Sequence, residues 1–149
     1  MRVTRAAIGI LGAAAAAAML PAGREVIAQP GKSVWDGVFT MEQAARGEGS
    51  YQKECSSCHG AALEGDGGFA PALVAEAFTG RWQNGTVGDV LIVVKASMPQ
   101  DRPAALSPDV YADIVAFMLK MNNYPAGQTE LSTDPAQSQD IRIAKSATR

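Results

Sequence analysis

The sequence predicts an all-α domain, and three observations carry that reading. Helix-start signals stand at Thr40-Met41-Glu42-Gln43, at Thr86 with Asp89 three residues on, and at Ser107-Pro108-Asp109. After the last of these, apolar residues recur at helical spacing at Val110, Ile114, Val115, Phe117, Met118 and Met121. The one run with strand character, Val90 to Val94, has no second candidate to pair with, and a lone strand is not stable.

The chain has 149 residues, and its start reads as an export signal. Arg2 and Arg5 form a basic lead, Ala6 to Leu20 is an apolar run, and Pro21 breaks it. The run is short and mostly Ala, which suits a removed signal over a spanning helix of roughly 20 residues. Val26-Ile27-Ala28 offers a cleavage site that assigns residues 1–28 to the signal, with a cut after Ala22 as the alternative. Export implies a periplasmic location. Three arginines and one glutamate lie in residues 1–28, so the 121 residues that follow keep 10 basic and 14 acidic groups, a net charge of −4. That balance argues against nucleic acid and anionic membranes, and for a partner with a basic docking patch.

Residues 29–39 form an aperiodic leader, expected to wrap over the core through Val34, Trp35, Val38 and Phe39. A domain follows over residues 40–127. Its first helix is capped by Thr40, with Gln43 expected to reach back to complete a capping box, and runs to about Glu54. Gly47 and Gly49 lower its propensity, and the physical use of such a glycine is close approach of another helix. The C-terminal helix is the expected partner, with Tyr111 or Phe117 against the bare backbone.

Next comes Cys55-Ser56-Ser57-Cys58-His59, which contains both cysteines and the one histidine of the chain. Two thiols at this spacing can each add to a vinyl group of haem, and the adjoining imidazole then serves as an axial ligand; the pattern is the c-type haem attachment signature. A structural zinc site would need a fourth ligand, and no Cys or His remains to supply it. A thioredoxin-like pair would need a strand before it, and a disulfide closing so small a loop would restrain little.

Gly60, Gly65, Gly67 and Gly68 mark a tight loop along the haem edge, ended by Pro71. Leu73 to Phe78 is read as a brief helix stopped by Thr79-Gly80, with Arg81 to Gly85 as a turn. Thr86 opens a helix through Ser97, preferred over a strand. Met98-Pro99-Gln100-Asp101-Arg102-Pro103 is irregular, and Ser107 caps the final helix to about Asn122. Residues 128–149 read as a polar tail, an extended or mobile strap with Ile141 and Ile143 as its apolar anchors.

Whether the sixth iron position is filled separates an electron carrier from a haem catalyst. Histidine is excluded as that ligand because His59 stands alone, while lysine and an empty site stay open beside methionine. Among the methionines, Met19 lies in the signal, Met41 opens the first helix, and Met118 and Met121 fall on the apolar face of the last helix. Met98 lies in a loop of its own, beside Pro99 and 39 residues after His59. Thioether is also the ligand that raises the potential, so His59 and Met98 are the candidate metal ligands.

The order of capped helix with Gly47, haem motif, Gly-rich loop, Met98-Pro99 and aromatic-bearing last helix resembles class I cytochromes c over Thr40 to Gly127. The resemblance implies the cytochrome c fold, three to five helices around one haem c, bound covalently through Cys55 and Cys58. It also implies that the Pro71 carbonyl accepts from the second ring nitrogen of His59. A narrower similarity is carried by residues 33–40, Gln43 to Gly47, Met98 to Pro103 and Asn122 to Gly127. These segments look like the cytochrome c subunits that accompany periplasmic quinoprotein dehydrogenases. That implies a dehydrogenase as redox partner, a downstream oxidase or cytochrome as acceptor, and Arg81 and Trp82 as propionate contacts. The expected role is single-electron transfer in the respiratory chain, not catalysis. A peroxidase-like or gas-binding haem protein with an open sixth site is the alternative.

Overall fold

The computed structural model describes residues 31–145; the signal assigned to residues 1–28 lies outside the described residues. Five α-helices form the domain: α1 (Met41–Glu54), α2 (Ser56–His59), α3 (Ala75–Trp82), α4 (Val87–Ser97) and α5 (Pro108–Met121). Two short 3₁₀ turns, Val34–Asp36 and Pro135–Ser138, flank them, and among the described residues there are isolated bridges but no strand. No described helix is long and apolar enough to cross a membrane.

The core is the crossing of α1 and α5. Gly47 makes it possible: a Cβ there would overlap the backbone carbonyl of Asp113, so the two helix backbones meet directly. The expected close approach is present, but its partner is backbone, not the ring of Tyr111 or Phe117. Phe117 instead stacks on Tyr51 at a centroid distance of 5.4 Å, one turn along. Gly49 has nothing within 4 Å and is a surface glycine. Beside the crossing, Arg46 grips Asp113 in a two-pronged pair, Nε and Nη2 each 2.9 Å from a carboxylate oxygen. Its guanidinium also reaches Glu130, and these bonds push its pKa further above its usual value.

Caps hold the helix starts much as the sequence implies, with one change. The Thr40 hydroxyl accepts from Gln43 N, yet the Gln43 side chain does not complete a box. Buried, it turns away and exchanges two hydrogen bonds with the backbone of Leu131, at 3.0 and 2.7 Å. A capping box forms at α4, where Thr86 and Asp89 cap one another reciprocally. Val90 to Val94 is helical, as preferred. α3 differs from expectation, because Gly80 does not stop it and Arg81 and Trp82 lie on its last turn. A mid-helix glycine costs about 1 kcal/mol. Burial of Phe78 and packing of Trp82, one turn apart, offsets that cost.

The leader lies over the core as expected, with Val34, Val38 and Phe39 buried and Trp35 edge-on to Tyr124 at 5.0 Å. The tail is anchored on the core at one point more than the sequence suggests. Leu131 is a third apolar anchor besides Ile141 and Ile143, and all three belong to the core. Arg142 bridges Ser33 in parallel and Thr86 in antiparallel sense, so one extended segment ties the leader to the start of α4. The packed unit thus extends past residue 127 through Ile143.

Candidate functional site

α2 is a single turn between α1 and the glycine loop, and it is tied at both ends. The Tyr51 hydroxyl donates to the Gly60 carbonyl at 2.8 Å, and Gly65 N donates to the His59 carbonyl at 2.7 Å. The left-handed backbone at Gly60 and Gly65 (φ 78° and 73°) folds the loop back under the motif. Asp66 caps that fold, accepting from Gly68 N and Ala70 N at 2.9 Å each, which holds its carboxyl below the usual range. This delivers Pro71 to His59, whose Nδ1 lies 2.9 Å from the Pro71 carbonyl oxygen. A carbonyl can only accept, so Nδ1 carries the proton and Nε2 keeps a free lone pair.

One cleft of about 590 Å³ gathers every residue singled out in the sequence: Cys55, Cys58, His59, Pro71, Arg81, Trp82 and Met98 all line it. The size suits an organic cofactor, and the walls from Leu73, Phe78, Val94, Ile114 and Met118 are apolar. Both cysteines are free thiols. Burial, with the Glu54 charge second, pushes the Cys55 thiol up to about 11. Free thiols, an oriented imidazole and a mostly apolar wall fit haem, and no group of three or more His, Cys, Asp or Glu able to hold a bare metal ion occurs among the described residues.

Two methionines reach the cleft. Met98 follows the end of α4 and is half-buried, whereas Met118 is buried within α5. Met41 is exposed and lies elsewhere on the surface. Arg81 is exposed and sits over the Trp82 ring at 5.1 Å, so the two form one cationic and aromatic edge of the cleft.

Three supports were not visible in the sequence. Asn122, at the end of α5, accepts from Ala75 N and donates to the Leu73 carbonyl, fixing the chain just after Pro71. Arg102 pairs with Glu54, next to Cys55, which lowers the Glu54 pKa. The Tyr111 hydroxyl donates to the Met98 carbonyl at 2.8 Å. Each joins residues 13 to 49 apart, so no local spacing announces it.

Residues 42–118, just over half of the chain, match the family described as cytochrome C oxidase, cbb3-type, subunit III. No curated protein and no solved structure matches.

Proposed function

Because the chain belongs to the family described as cytochrome C oxidase, cbb3-type, subunit III, and so is a haem c electron-transfer protein with an all-α cytochrome c fold, we propose that it is a periplasmic carrier with one haem, ligated by His59 and Met98. Haem c supplies a one-electron couple at its iron. Cys55 and Cys58 would hold the porphyrin as thioethers, His59 Nε2 and the Met98 thioether would take the axial positions, and Arg81 with Trp82 would meet the propionates. The bond from His59 to the Pro71 carbonyl is the observation that carries this reading. It orients the ring and leaves Nε2 as donor in the same cleft as the thiols and Met98. The apolar walls would keep water away from the haem they hold.

The test is a pair of variants. Met98→Ala is expected to keep covalent haem, to lower the reduction potential by at least about 0.1 V within the roughly 0.8 V that axial ligands span, and to bind CO on reduction. Met118→Leu is expected to leave the potential in place; a drop there instead would move the axial role to α5. Rapid CO binding by the unaltered protein would favour the gas-binding or peroxidase-like alternative.

The acidic charge of the chain after residue 28 supports docking on a basic partner. The narrower sequence similarity favours a quinoprotein dehydrogenase as electron donor, feeding the respiratory chain. The family's description names an oxidase subunit, which favours a second reading, membership of an oxidase assembly. Native purification from the periplasm separates the two by what accompanies the haem protein and which substrate reduces it.

A further inference from the structure

The segment from Met98 to Leu106 has apolar anchorage only near its ends, at buried Pro99 and at Leu106, which packs against the core. Residues 100–105 between them are exposed. Hydrogen bonds hold that exposed stretch. Arg102 N bonds to the Pro99 carbonyl, and Met98 N and Ala104 N bond to the Val94 and Lys95 carbonyls, which shape the loop and tie it to the end of α4. Tyr111 ties it to α5. Its ring is 2 % exposed in the first turns of α5; its hydroxyl donates to the Met98 carbonyl at 2.8 Å and accepts from Leu106 N at 3.4 Å. One side chain thus joins both ends of the loop to the helix that crosses α1. The pair of Arg102 with Glu54 ties the loop to the helix end beside Cys55, but the arginine is 45 % exposed and its charge is screened.

We infer that Tyr111 is the positioning residue for the sixth iron ligand, its hydroxyl holding the backbone of Met98 so that the thioether stays on the iron. This rests on Met98 as axial ligand. Without the hydroxyl, the Met98 carbonyl loses its buried partner, and one hydrogen bond of ordinary net strength corresponds to an increase of about three- to tenfold in the population of the detached loop.

The experiment uses the full haem-loaded protein. Tyr111→Phe keeps the ring and removes the hydroxyl; CO is expected to bind the reduced variant about three- to tenfold faster than the unaltered protein, with a lower reduction potential. Arg102→Gln is expected to change the rate less. A Tyr111→Phe protein that melts earlier but keeps the original CO rate and potential overturns the inference, because the bond would then be structural only. Met98→Ala runs in parallel. If it binds CO no faster than the unaltered protein, the ligand assignment itself falls; if it binds fast while Tyr111→Phe does not, only the role of Tyr111 falls. Should Tyr111→Phe fail to retain haem, 3-fluorotyrosine placed at position 111 strengthens the donor and is expected to slow CO binding; an unchanged rate overturns the inference.

Discussion

At His59 a single carbonyl decides which ring nitrogen is free, and the glycine loop exists to present that carbonyl. The loop's own security comes from Asp66, whose carboxylate collects two backbone N–H groups. Its pKa is held below the ordinary 3.8 by those bonds, so its contribution to stability is complete above that value and is lost as the pH falls through the lower folded value. Glu54, lowered by Arg102, and Asp89, lowered by Thr86, act in the same direction. We predict that the melting temperature falls below about pH 4 and that Asp66→Asn flattens this acid dependence; thermal melts from pH 6 downward measure it, and identical profiles would refute it. The attachment motif was legible because covalent attachment demands a fixed spacing, and Met98, proposed from its loop position, lies in the same cleft. Tyr111 and Asn122 were not legible, since their roles exist only once α5 has packed.

Between elements, the α1 and α5 crossing turns on the difference between two glycines two residues apart. Gly47 admits a backbone, and Gly49 faces open space. Gly47→Ala is predicted to cost about 3 kcal/mol or more, because neither backbone can yield. Gly49→Ala should instead stabilise by up to about 1 kcal/mol through helix propensity. Urea denaturation separates them, and equal effects would remove the crossing argument. From sequence both glycines carried the same meaning, because propensity does not say which face of a helix is covered. The same blindness explains α3: Thr79-Gly80 reads as a stop locally, whereas burial of Phe78 and packing of Trp82 carry the helix onward.

Across the whole molecule, the described ends are woven into one surface. The extended segment at residues 141–143 lies between the leader and the start of α4, and Gln43 holds the tail further up by its two bonds to Leu131. Gln43→Ala would leave that buried N–H and carbonyl unpaired, at a predicted cost of about 2–3 kcal/mol. Limited proteolysis should then cut faster within residues 128–145, and unchanged cleavage would show that the amide is dispensable. Ile141 and Ile143 were legible as anchors, but Leu131 was not, because the decisive contact there comes from a glutamine in α1. The bond from Trp35 Nε1 to the Ala144 carbonyl spans 109 residues. Contacts so distant along the chain are slow to be found, since a long loop must close before they repay it. If the helices that shape the cleft assemble before the strap closes over the far side, weakening the strap would speed unfolding more than it slows folding.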